Sequence, residues 1–129
     1  MSLKSEWLIE QRVLLVTTGE TFTAEELAEA SNIIDPSSPF AYMIVDDQLM
    51  KRPPNIASFA RARGLTPPEN LKCVLSAGLK NPVQKFAAQM AGKLVGRPMM
   101  FFSDVPSAME FIYIREPELR ELAPEMPQG

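Results

Sequence analysis

The stretch Met99-Met100-Phe101-Phe102-Ser103-Asp104-Val105-Pro106-Ser107-Ala108-Met109-Glu110-Phe111-Ile112 decides the fold of this chain. Four apolar residues in a row make a short strand. Asp104 follows as a helix N-cap, and Pro106 falls in the first turn, where a missing N–H costs little. Ala108, Met109, Phe111 and Ile112 then recur at helical spacing. A strand that hands over at once to an amphipathic helix is the unit of an α/β domain.

The same phrase occurs twice more upstream. Residues 71–77 (LKCVLSA) read as a strand ended by Gly78. Asn81 caps the next helix, Pro82 takes its first position, and Gln84 completes a box-like pair. Val83, Phe86, Ala87, Met90, Ala91 and Leu94 recur at three- and four-residue steps, which predicts that they face the core. Gln84, Lys85, Gln89 and Lys93 are predicted to face solvent, and Gly96 ends the helix.

Residues 12–18 (RVLLVTT) form a β-branched run stopped by Gly19. Thr23 and Glu26 make a capping box, with Phe22 and Leu27 as its hydrophobic staple. Leu27, Ala30, Ile33 and Ile34 share one face, and Pro36 ends that helix near Asp35. Residues 40–45 (FAYMIV) barely alternate, so both faces are expected to be buried, as in a central parallel strand. Asp46 and Asp47 close it.

Residues 48–55 read as a linker containing Pro53-Pro54, and Asn55 can cap a short helix over residues 56–63. Residues 7–9 fit an edge strand or the first arm of a hairpin turning near Glu10-Gln11. The last helix runs to about residue 123, or breaks where Pro117 opens a separate short helix. The expectation is one small α/β domain with a four- to five-stranded, mostly parallel sheet and about four helices. An N-terminal arm or edge strand covers residues 1–11, the domain 12–123, and a flexible tail 124–129.

The composition narrows the functional classes. The chain has 129 residues, a net charge of −3, one cysteine and no histidine. Its strongest basic cluster, Lys51-Arg52 with Arg61 and Arg63 further on, falls short of a nucleic-acid surface. A single cysteine allows no intrachain disulfide, which fits a reducing cytoplasm. Cys73 lies in an apolar strand and reads as a buried, inert thiol. Without histidine, Ser-His and Cys-His catalysis is excluded, along with the commonest metal ligand. No apolar run approaches a membrane span, and no secretory segment opens the chain.

The order and spacing of these elements resemble a STAS domain, the fold of anti-sigma-factor antagonists, in its SpoIIAA-like branch. That branch is itself similar to CRAL-TRIO lipid-binding domains. Four features carry the resemblance. They are the strand, Gly19 and the Thr23-Ala24-Glu25-Glu26-Leu27 helix start; the central strand ending in Asp46-Asp47; the strand at residues 71–77; and the closing Phe102, Asp104, Ala108, Met109, Phe111 and Ile112. Sporulation-type antagonists carry a phosphorylatable Ser or Thr, usually in Asp-Ser-Ser/Ala-Gly, in the loop after the central strand. Residues 46–55 contain neither, and the nearest serine, Ser58, lies within the next predicted helix. The resemblance therefore implies a fold used for contact, without the phosphoserine switch.

What it implies is a cytoplasmic, non-enzymatic module that meets a protein partner or a second copy of itself. The contact surface would be the 48–55 loop and the helix that follows. The lipid-binding likeness implies the alternative, an apolar small ligand in an internal cavity. Asp46, Asp47, Leu49, Met50, Arg52 and Asn55 form the candidate partner or ligand surface. Side chains at the carboxyl ends of parallel strands line the crevice where open sheets bind ligands. Adjacent carboxylates can hold Mg²⁺ through oxygen, or serve as turn formers. Neighbouring strand residues point to opposite faces, which disfavours both meeting one ion. Thr17, Thr18, Glu20, Ser76 and Ser103 gather at the same edge, and Gly78 to Asn81 leads into a helix N-terminus able to meet an anion. Leu49 and Met50 together are expected to form an exposed apolar patch. A receiver-like phosphoacceptor site fails at both ends, since Thr17-Thr18-Gly19-Glu20 replaces the acidic pair and Ser103-Asp104 the lysine. No catalytic residue, metal site or cofactor is implied.

Overall fold

The computed structural model describes residues 3–51, 57, 68–95 and 99–122. Five strands form one sheet in sequence order: β1 (Lys4–Ile9), β2 (Val13–Thr17), β3 (Ala41–Asp46), β4 (Leu71–Ala77) and β5 (Met99–Phe102). β1 runs antiparallel to β2, and every later pair is parallel. The described helices are α1 (Ala24–Ser31), α2 (Pro82–Val95), α3 (Val105–Arg115) and the short α4 (Leu119–Leu122). Among the described residues no helix is long and apolar enough to cross a membrane.

The N-terminal segment is therefore both an edge strand and a hairpin arm. Its turn places Gln11 at φ 57°, a left-handed conformation uncommon for a residue with a side chain. Gln11 also ties the hairpin to the loop after α1. Its amide donates to the Ile33 carbonyl at 3.3 Å, and its Oε1 accepts from Asp35 N–H at 2.8 Å.

Side-chain alternation splits the core into two faces. Val13, Tyr42, Ile44, Cys73, Leu75 and Ala77 point to one side, where Ala108, Met109 and Ile112 of α3 and Leu119 of α4 cover them. Leu14, Val16, Met43, Val45 and Val74 point to the other, under Ala30 and Ile34 at and beyond the end of α1. β3 is buried along nearly its whole length, as its unalternating sequence requires. Cys73 is buried, and burial pushes its thiol pKa up.

The expected caps form. Thr23 and Glu26 close a reciprocal capping box at α1, with Glu26 N–H donating to Thr23 Oγ1 at 3.2 Å and Thr23 N–H to Glu26 Oε1 at 2.9 Å. Asp104 accepts from Ser107 N–H at 2.9 Å at the start of α3. Asn81 Oδ1 accepts from Val83 N–H at 2.8 Å and from Gln84 N–H at 3.4 Å ahead of α2. α1 stops earlier than expected, at Ser31, whose hydroxyl donates to the Ala28 carbonyl at 2.8 Å. A turn then leaves Ile34 buried and Ile33 45% exposed. The last helix does break, with α3 ending at Arg115 and α4 starting after Pro117.

One expectation is reversed. Val83 and Phe86 of α2 are 67% and 65% exposed and Met90 is 36% exposed, while Gln84 and Ala88 are buried. The reversal covers Val83, Gln84, Phe86 and Met90; Gln89 is exposed as expected, and the side chains of Ala87, Ala91, Lys93 and Leu94 lie outside the described residues. α2 seats the small Ala88 against Phe22, Met50 and Leu79, and its first turn brings Gln84 over the polar end of the sheet. A periodic apolar stripe fixes which residues share a face, but not which neighbour covers them. The helix expected over residues 56–63 and the tail at 124–129 lie outside the described residues, as do Arg52 and Asn55; Ala57 is the exception.

Candidate functional site

The face covered by α1 and α2 changes character at the carboxyl end of every parallel strand. Leu14 and Val16 lead to Thr18, Met43 and Val45 to Asp47, Val74 to Ser76, and Met99 and Phe101 to Ser103. Each strand keeps its two-residue alternation and swaps an apolar side chain for a polar one at its last position on this face, buried at Thr18, Asp47 and Ser76 and exposed at Ser103. The backbone ladder continues past the assigned ends, with Thr18 N–H donating to the Asp46 carbonyl at 3.1 Å, Asp47 N–H to Ala77 at 2.8 Å, and Gly78 N–H to Phe102 at 3.0 Å. Thr18, Asp47 and Ser76 are 1%, 4% and 1% exposed.

That continuation separates the two acids. Asp46 points to the α3 side and accepts from Gln48 N–H at 3.2 Å, the turn-forming role expected of it. Asp47 points to the α1–α2 side and is buried. Its Oδ2 accepts a hydrogen bond from the Ser76 hydroxyl, and its Oδ1 has no hydrogen-bond partner. The two carboxylates therefore do not converge on one ion. Among the described residues no cluster of three acidic or cysteine side chains could hold a metal.

Burial raises the Asp47 pKa from 3.8 to about 7. Hydrogen bonding from Ser76 works against the rise, the charge on Asp46 adds to it, and Thr18 again lowers it. The Thr18 hydroxyl also reaches the Asp46 carbonyl at 3.3 Å. Asp47 is thus a carboxyl group that holds or releases a proton near neutrality.

Asp47 lines a cleft of about 640 Å³ at this edge. Gly78 and Ser103 lie on the strand-end side, Asn81 and Gln84 on the α2 side, and Met50 at the base of the loop after β3. Gln48, Lys51 and Lys80 complete the wall. Gly78 is required where it stands. Its φ is +93°, and a Cβ there would lie 2.6 Å from Gln48 Cγ and 3.3 Å from Gln48 N.

The loop after β3 corrects the expected apolar patch. Leu49 is 62% exposed, but Met50 is 8% exposed. Met50 N–H donates to the Asp47 carbonyl at 3.0 Å, and Lys51 N–H donates to the Glu20 carbonyl at 2.8 Å. These bonds fold the loop over the sheet end and turn Met50 in against Phe22, Leu79 and Ala88.

Of the expected surface residues, the structure therefore brings Asp47 and Met50 to one cleft, leaves Leu49 outside it, and turns Asp46 to the opposite face. Lys80 and Gln84 also line the cleft, although the sequence marks Gln84 only as a helix-start residue facing solvent. Lys80 sits in the Gly78-to-Asn81 stretch expected to lead into a helix N-terminus able to meet an anion, and that position is its signal in the sequence. Gln84 was hidden by the reversed phase of α2. No protein-family model matches this chain, and neither the curated proteins nor the solved structures searched give a match.

Proposed function

We propose that this chain is a cytoplasmic, STAS-like binding module that works without catalysis and takes a small polar ligand at the carboxyl edge of its parallel sheet. One observation carries the reading: a buried carboxyl group with an unpartnered oxygen lines an open cleft where four parallel strands end. A cleft of about 640 Å³ is within the range of small-molecule sites. Its wall is mostly polar, which favours a polar ligand over the lipid that the CRAL-TRIO likeness implies. The test is a thermal-shift screen of polar metabolites against wild type and Asp47→Asn. The reading expects a hit whose stabilisation is lost in the variant; hits equally strong on both would move the site elsewhere.

Protein contact is the second reading, and exposed apolar side chains support it. Leu49 at 62%, Val83 at 67% and Phe86 at 65% stand out on a chain this small. The expected surface, the 48–55 loop and the helix after it, lies largely outside the described residues, and with Met50 turned inward the contact surface proposed here is Leu49 with Val83 and Phe86 of α2. Phe86→Asp should then reduce self-association or partner binding in sedimentation velocity while preserving the circular dichroism spectrum. Unchanged sedimentation of a wild-type monomer, with no partner effect, would count against it.

A further inference from the structure

We propose that the carboxyl-edge cleft takes a small anion that also carries a hydroxyl group, of which a polyol phosphate is the type. Its anionic end would lie on Lys80 and Lys51, and its hydroxyl would donate to Asp47. This rests on the small-ligand reading above and assigns that ligand a chemistry.

The polar groups at the site leave one demand of each kind. Asp47 Oδ2 accepts from Ser76, and its buried Oδ1 has no hydrogen-bond partner because the neighbouring Thr18 hydroxyl donates to the Asp46 carbonyl instead. A ligand hydroxyl supplies one. The positive side of the cleft is equally uncommitted. Lys51 has only a 3.9 Å contact with Glu20, and both side chains are largely exposed, so that pair holds neither in place. Lys80 is exposed, with no acidic partner among the described residues. Lysine serves as a point charge for phosphate.

The helix end does not supply the anion site. Asn81 already occupies the N–H groups of Val83 and Gln84, and Pro82 has none. The lysines must therefore carry the charge. Among the described residues the cleft wall has no aromatic ring, so it offers no stacking platform for a nucleobase. That favours a polyol over a nucleotide.

The test is titration calorimetry on the full chain with glycerol 3-phosphate, propyl phosphate, inorganic phosphate and glycerol. Propyl phosphate keeps the anion and lacks the hydroxyls. Glycerol 3-phosphate should bind about tenfold tighter than propyl phosphate, and that preference should vanish in Asp47→Ala. Lys80→Ala, at an exposed position that does not threaten folding, should weaken both phosphates about tenfold. Vesicles of phosphatidylglycerol, against phosphatidylcholine alone, separate a lipid headgroup from a free metabolite; Lys80-dependent binding in either arm supports the chemistry. Equal affinity for the two organic phosphates overturns the role given to Asp47. Glycerol binding as tightly as its phosphate, indifferent to Lys80→Ala, overturns the anion and leaves the polar-ligand reading intact. A cleft that binds none of these, yet yields an Asp47-dependent hit in the metabolite screen, overturns this inference alone. A cleft that binds nothing in either experiment overturns both.

Discussion

The two ends of the sheet use similar residues to opposite effect. At the amino end Tyr42 is fully buried, and its hydroxyl donates to Glu116 Oε2 at 2.7 Å. Lys72 donates to the same oxygen at 3.0 Å. Phe40 lies edge-on to Tyr42, with Lys72 and Arg12 over its ring at 4.7 Å and 5.3 Å. Burial pushes Glu116 up, but the hydrogen bonds from Tyr42 and Lys72 outweigh it and hold its pKa low. Burial and Glu116 together push Tyr42 up to about 12. Charge and hydrogen-bonding capacity are consumed internally, which is how a polar group serves stability. At the carboxyl end Asp47 is buried with Ser76 on one oxygen and no hydrogen-bond partner on the other, and the cleft lysines Lys51 and Lys80 are exposed. A polar network left incomplete beside a cleft is where a ligand can complete it. The contrast is one of degree: Asn70, at the amino end, also has an unpartnered Oδ1, although its amide donates to both the Asp35 and Ser38 carbonyls.

The largest expected effect breaks the comparison by pH. Folded Asp47 titrates at about 7, against about 3.8 when exposed. Between those values the folded state holds a proton that the unfolded state has released. Stability from this group is fully present below about pH 4 and is lost as pH rises through 7, by up to about 4 kcal/mol. Asp35, Asp104 and Glu116 have lowered values, so their stabilisation is lost only at more acid pH. Urea unfolding at pH 5 and pH 8 should therefore show a less stable protein at pH 8, and Asp47→Asn should remove most of that difference. A wild type equally stable at both values would mean that Asp47 is far better solvated than its 4% exposure implies.

Gly78→Ala comes next and tests the geometry of the carboxyl end. Positive φ and the approach of Gln48 together predict a loss of about 1–3 kcal/mol. Thermal unfolding within error of wild type would show that the turn can relax without glycine. At the amino end, Tyr42→Phe removes a hydrogen bond to a charged carboxylate while Lys72 still serves Glu116. A loss of about 1–2 kcal/mol is expected, again read by unfolding. No loss would place the Tyr42 hydroxyl outside the stabilising network.

Much of this contrast was legible in the sequence. Local signals carried the caps at Thr23, Asn81 and Asp104, because a cap is a bond between residues two or three apart. The unalternating β3 announced its burial, and the shift from Val45 to Asp47, Val74 to Ser76 and Phe101 to Ser103 was present in the letters once a face was assigned. What stayed hidden depends on long-range geometry. Tyr42 meets Glu116 across 74 positions, and Ser76 meets Asp47 across 29. Periodicity placed Val83, Phe86 and Met90 on one stripe without saying which side the sheet lay on. Met50 looked exposed because its loop contains prolines, but two backbone hydrogen bonds fold that loop inward.

The smallest expected effect sharpens the comparison most directly, because it sets one lysine against another. Lys72 at the amino end is half-exposed and holds Glu116 at 3.0 Å with a ring beneath it. Lys51 at the carboxyl end reaches Glu20 only at 3.9 Å, with both side chains mostly in solvent. Replacing Lys72 with Met should cost about 1 kcal/mol, since the carboxylate it serves is 13% exposed and loses one of two donors. Replacing Lys51 with Met should change stability by less than about 0.5 kcal/mol. Chemical denaturation of the two variants side by side reads the difference. If Lys51→Met proves the more costly, the carboxyl-end lysine is already committed to the fold and the cleft loses half of its available charge. If the order holds, the fold uses its charge for stability at one end of the sheet and leaves Lys51 uncommitted at the other.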